Sequence, residues 1–206
     1  MQDPKISRFA PPDLGSLPPD ILERIRTVQE KAGFVPNVFL VLAARPAEFR
    51  AFFAYHDALM EKPGGLTAAE REMIVVATSA ANQCQYCVIA HGAILRVRAR
   101  NPLIADQVAV NYRKADITPR QMAMLDFAMQ VALAAETVDE DDYERLAEHG
   151  FTEDDAWDIA AIAAFFGMSN RLANAFSMRP NAEFYALGRH CLLYTSPSPR
   201  DRQKSR

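Results

Sequence analysis

Apolar residues recur along this chain at three- and four-residue intervals, and prolines, glycines and short polar caps cut the pattern into helical lengths. Ile21, Ile25 and Val28 mark a first helix from about Asp20, stopped by Gly33. Phe34-Val35-Pro36-Asn37 turns into a short helix, VFLVLAA, closed by Arg45-Pro46, and a third runs from about Ala47 to Met60. Pro63-Gly64-Gly65 breaks the pattern, and Thr67 with Glu70 reads as a capping box opening the next helix. Asn82-Gln83 predicts an interruption before a helix that reaches about Arg100. Asn101-Pro102 begins another through Tyr112, and Thr118-Pro119 opens a long one to about Glu136. Asp139 and Thr152 cap two more, ending near Gly150 and Phe176, and a last short helix occupies Ala182 to Leu187. No stretch alternates with the period of two that a half-buried strand needs, so the fold class is all-α.

The Thr67 and Thr152 helices are weakly self-similar. Setting one cap on the other aligns Ile74 with Ile159 and Ala90 with Ala175, and predicts a degenerate internal repeat. In that register Glu72, Cys84, Cys87 and His91 meet Trp157, Ser169, Leu172 and Phe176, so the second copy keeps the capped helix and loses the reactive groups. The chain then reads as one helical domain over residues 1–190, with a catalytic half at about 20–115 and a packing half at about 116–190.

Composition narrows the picture. Half of the 206 residues are hydrophobic, enough for a substantial core, and the formal charge of −3 argues against nucleic acid as a partner. No apolar run approaches the roughly 18 uncharged residues of a membrane span, and the N-terminus lacks the basic-then-apolar order of a secretory signal. The expectation is a cytoplasmic protein with no membrane partner, in which a CxxC is reactive rather than a structural staple. From Cys191 the helical pattern gives way to Ser, Pro and Arg, and the stretch Cys191 to Asp201 reads as a frame through a transposase-based sequencing adapter. Residues 191–206 are therefore expected to be a disordered artefact without chemistry. The tail's four cations against Asp201 carry a net +3, so without it the chain stands at −6 rather than −3.

Candidate chemistry lies around Cys84-Gln85-Tyr86-Cys87, followed four residues on by His91, with Glu72 twelve residues upstream of Cys84. On a helix the two cysteines and His91 fall within roughly 60° of one another, and an i, i+3 cysteine pair is close enough for a disulfide. A helix start near Cys84 favours a thiolate there, whereas His91, one turn past Cys87, is placed to take that residue's proton. The positioned base outweighs the exposed helix end, which makes Cys87 the attacking thiol and Cys84 the resolving one. Glu72 can reach His91 only if the chain reverses at Asn82-Gln83. In a continuous helix the separation from Cys87 exceeds roughly 20 Å. Cys84, Cys87 and His91 are also acceptable zinc ligands, but no fourth is at hand, and no metal is expected. His56 borders an aromatic face and could line a pocket. Asn170 and Arg171 are polar residues on an otherwise apolar helix.

The spacing E-x11-C-x2-C-x3-H, as Glu72, Cys84, Cys87 and His91, resembles the alkylhydroperoxidase AhpD-like family within the carboxymuconolactone decarboxylase group. The likeness spans roughly Ile6 to Arg189 and is closest to the peroxidase-related branch, through AGFVPNVF, FRAFFAYHDALM, ADQVAVNYRKADIT, SNRLANAF and EFYALGR. The resemblance implies an all-helical homo-oligomer needing no cofactor, in which Cys87 attacks a hydroperoxide and its sulfenic acid condenses with Cys84. It further implies a dithiol reductant, either a lipoyl-protein or a thioredoxin-like donor, and a proton relay of Glu72 and His91. Some relatives carry a second histidine immediately before the second cysteine. Here that position is Tyr86, a poor base, which leaves Tyr86 and His56 as candidate supports for substrate or relay. Two other functions are compatible with the fold: a lactone decarboxylase, which would not need the cysteine pair, and a redox sensor whose disulfide switches an interface.

Overall fold

The computed structural model describes residues 5–189, and the expectations for residues 191–206 lie outside them. The described residues form ten α-helices and three short 3₁₀ turns, with no strand among them. The helices are α1 (Pro19–Ala32), α2 (Asn37–Leu42), α3 (Pro46–Met60), α4 (Ala68–Ala81), α5 (Gln85–Ala99), α6 (Ile104–Asn111), α7 (Pro119–Ala134), α8 (Glu140–Glu148), α9 (Glu153–Ala175) and α10 (Glu183–Ala186).

Local signals account for most of these boundaries. Thr67, Thr118 and Thr152 each accept a backbone N–H from the third residue of the helix they open, and Glu70, Gln121 and Asp155 complete the boxes. Gly33 ends α1 in the left-handed region at φ 82°, where a side chain would be strained. One helix begins later than expected. The Asn101 side chain accepts from the Leu103 amide, so the backbone turns once before α6 starts at Ile104.

Helix α4 is the axis of the molecule. From Glu70 through Ser79 every residue is buried, because α5, α6, α7 and α9 pack around it. Ile74, Val75 and Val76 are fully enclosed, in a core that also takes in Leu95, Met124, Leu125, Ile159 and Ile162. A second, smaller cluster joins α1, α2 and α3 through Ile21, Ile25, Phe39, Phe49 and Phe53. Among the described residues, charge in the interior is matched. Arg71 is 1% exposed and donates to the carbonyls of Leu59 and Lys62, with Asp158 of α9 3.5 Å away. At the opposite end the Arg96 guanidinium donates to the carbonyls of Leu187 and Phe184, which pins α10 across α5.

The Thr67 and Thr152 helices share their capped start and then diverge. The first stops at Ala81, whereas α9 runs unbroken to Ala175 through the positions where the other breaks.

Candidate active site

Local backbone chemistry produces the reversal between α4 and α5. Asn82 caps α4, Gln83 takes a left-handed φ of 52°, and the Cys84 amide donates to the Ser79 carbonyl at 2.9 Å. Helix α5 therefore folds back along α4 as an antiparallel partner. Glu72, on α4, comes to lie against His91, on α5, with Glu72 Oε2 2.8 Å from His91 Nδ1. The reversal that the sequence reading required at Asn82-Gln83 is present. Glu72 is 2% exposed, and its other oxygen lies 3.7 Å from Arg98 Nε. With the Glu72 carboxylate as acceptor in this contact, Nδ1 is the donor and Nε2 is the ring nitrogen left free to accept.

Cys84 and Cys87 are buried free thiols. Cys84 occupies the N-cap of α5 in an extended conformation, so it stands at the helix entrance rather than in its first turn. Its thiol is pulled down to about 7, first by the Cys87 thiol as a hydrogen-bond donor and then, against burial, by the Cys87 amide, the Asn170 side chain and the Tyr86 amide. Cys87 is pushed up, because its proton serves Cys84 and because it is deeply buried, while Asn170 and Ser169 pull the other way. Acidity therefore belongs to Cys84, the sulfur at the helix entrance.

Access belongs to Cys87. A cavity of about 480 Å³ opens between α1, α3, α5 and α10, and Cys87, Tyr86, His91 and His56 form part of its wall. Cys84, with no exposed surface, lies behind. The remaining walls are largely apolar, with Phe34, Phe52, Phe53, Ile94, Phe166 and Phe184 among them, and Arg24, Lys31, Arg98, Asp57 and Glu61 supply charge. The size suits a small organic molecule more than a water-sized one.

The Tyr86 hydroxyl accepts the Val38 amide at 3.1 Å, fastening the start of α2 to the cysteine helix, and burial raises its pKa. His56 Nδ1 is 3.1 Å from Asp57 Oδ1, and its ring centroid is 6.5 Å from that of His91. Phe166 packs edge-on against His91 at 4.8 Å and holds the ring's plane.

Helix α9 supplies groups that sequence reasoning did not assign to the site. Asn170 is fully buried, donates to Ser79 Oγ at 2.9 Å and accepts from Asn82 at 3.0 Å, so it braces the α4–α5 reversal as well as acting on both sulfurs. Ser169 stands beside Cys87 in the cavity wall. The available signal was the polar pair Ser169-Asn170 interrupting an apolar helix. Arg98, two turns past His91 on the same face of α5, could have been found from that spacing. Among the described residues no three His, Cys, Asp or Glu side chains converge as metal ligands, and no helix is long and apolar enough to cross a membrane.

Comparison with known proteins agrees with this architecture. Residues 46–135 match the model of the carboxymuconolactone decarboxylase family. A peroxidase-related protein from Ralstonia eutropha JMP134, described as an alkylhydroperoxidase AhpD core, is 71% identical over 89% of this chain and 97% of its own, with a TM-score of 0.89. A peroxidase-related protein from Silicibacter sp. TM1040 is 38% identical over 92% of this chain and 99% of its own, with a TM-score of 0.86. The debrominase Bmp8, solved with 2,3,4-tribromopyrrole, is 22% identical over 90% of this chain and 96% of its own, and shares the fold at a TM-score of 0.69. No curated protein matches the chain.

Proposed function

The chain belongs to the AhpD-like group of the carboxymuconolactone decarboxylase family, and from that premise we propose that it is a thiol-dependent peroxidase. The observation that carries this reading is a pair of free, unequally acidic thiols, of which Cys87 shares the wall of an apolar cavity with a carboxylate-backed imidazole. Cys87, which meets the cavity, is the attacking residue, and His91 Nε2 takes its proton. The thiolate displaces on the terminal oxygen of the hydroperoxide. An S–O bond forms, the O–O bond breaks, and the leaving oxygen takes up the proton held by His91, giving an alcohol, or water from hydrogen peroxide. Cys84, already acidic, then attacks the Cys87 sulfenic acid as a thiolate. The sulfenic oxygen leaves as hydroxide, takes a solvent proton and departs as water, and the disulfide closes. A dithiol, from a lipoyl-protein or a thioredoxin-like donor, restores both thiols by exchange.

Glu72 fixes the His91 tautomer and stabilises the imidazolium once the proton is taken, and Arg98 steadies the carboxylate. Large apolar side chains stand exposed away from the cavity, among them Trp157, Val110 and Leu133, and a homo-oligomer would cover such surface.

The test is sustained consumption of an organic hydroperoxide with dihydrolipoamide as donor, comparing wild type with Cys87→Ser. The peroxidase reading expects many turnovers from the wild type and none from the variant. A single oxidation per chain without turnover would identify a redox sensor instead.

A further inference from the structure

Two imidazoles line the cavity, and each is backed by a carboxylate with an arginine beside it. Glu72 holds His91 through Nδ1 at 2.8 Å, with Arg98 on the far side of the carboxylate at 3.7 Å. Asp57 holds His56 through Nδ1 at 3.1 Å, and Arg24 reaches both oxygens of that carboxylate, at 2.9 and 2.7 Å. The rings are 6.5 Å apart between centroids, and both face the same cavity. The proposed peroxidase chemistry uses only the first of these chains.

The two rings are not equivalent. Burial depresses the His56 pKa, opposed by the bond to Asp57 and reinforced by the proximity of His91. Protonating both rings at once is disfavoured, so when His91 takes up the Cys87 proton His56 stays neutral. With its proton held on Nδ1 by Asp57, neutral His56 presents a lone pair at Nε2. A hydroperoxide brings one O–H of its own into this apolar cavity, and an unpaired O–H there would be costly.

We propose that His56 is the hydroperoxide-binding residue, its Nε2 accepting the hydroperoxyl O–H and holding the terminal oxygen toward Cys87. The proposal rests on the peroxidase reading and deepens it. During attack the hydrogen on the terminal oxygen stays with that oxygen and becomes the sulfenic hydroxyl. The proton from Cys87 travels separately, through His91 to the leaving oxygen. His56 thus selects oxidants that contain an O–O–H group and discriminates against dialkyl peroxides.

The experiment is single-turnover oxidation of the reduced full-length protein, followed as thiol loss at Cys87, with cumene hydroperoxide and with diamide, an oxidant that has no O–H. Two variants are compared with wild type. His56→Phe removes the acceptor, and Asp57→Asn releases the tautomer, letting the ring proton move to Nε2. Both are expected to slow the hydroperoxide reaction by roughly tenfold, the size of one lost hydrogen bond, and to leave diamide unchanged. His56→Gln, whose amide oxygen can accept, is expected to recover part of the loss. Equal slowing with both oxidants, or no slowing with either, overturns the assignment. A wild type that reacts with diamide but not with the hydroperoxide overturns the peroxidase reading itself.

Discussion

At Cys84 the start of α5 and the neighbouring thiol act in the same direction, and the pH dependence of the protein's thiol chemistry follows from that. A thiol at about 7 is mostly ionised above neutrality and protonated below it. Alkylation of the reduced protein by iodoacetamide should therefore show an inflection near pH 7 assigned to Cys84 by peptide mass, absent in Cys84→Ser. Asn170 lowers both thiols, so Asn170→Leu should move the inflection upward. The same variant loses its bonds to Ser79 and Asn82, and chemical denaturation should register a loss of about 1–3 kcal/mol. Glu72→Gln should leave the cysteines in place and slow peroxide reduction by roughly 10²–10⁴, the range for a disabled proton relay, as measured by steady-state turnover. In Cys84→Ser the first oxidation can proceed without resolution, so a sulfenic acid at Cys87 should be trapped by dimedone.

Elements were easier to read than their partners. Caps are local: Thr67 with Glu70, and Thr152 with Asp155, declare helix starts within four residues, and α4 and α9 begin where they say. The Glu72–His91 contact was legible as a condition, since it required a reversal, and the Asn82-Gln83 pair supplied the residues that can make one. The contribution of α9 was not legible, because Asn170 meets Asn82 and Ser79 across 88 and 91 residues of sequence and acts on both cysteines from there, and no local spacing encodes that. The self-similarity hid it further, by casting Ser169 as a lost cysteine when it is a neighbour of Cys87. His56 was visible on an aromatic face, but the carboxylate behind it matters only once α3 and α5 face the same cavity. Gln83 gives a test at this scale. Its positive φ strains a side chain, so Gln83→Gly should be neutral or stabilising, whereas Gln83→Val should lower the melting temperature and perturb Cys84 reactivity.

Across the whole molecule, the cavity exists because two clusters meet without merging. The α1–α3 cluster lies on one side, the α4-centred core on the other, and Arg71 with Asp158 joins α4 to α9 where the end of α3 arrives. Removing one partner of that pair leaves a buried charge. Asp158→Ala should therefore cost about 3–5 kcal/mol in equilibrium unfolding, far more than removal of an exposed pair such as Arg50–Asp20. The proposed homo-oligomer predicts a solution mass by light scattering that is a multiple of the 23.0 kDa chain, with Trp157→Lys shifting it downward if α9 carries the contact.

The most direct measurement of the central claim adds one equivalent of an organic hydroperoxide to the reduced protein and follows the Cys84–Cys87 peptide by mass spectrometry while assaying the alcohol. The account predicts loss of two hydrogens from that peptide, as an intramolecular disulfide, in step with one equivalent of alcohol. Persistence of both free thiols while the hydroperoxide remains unconsumed would contradict it.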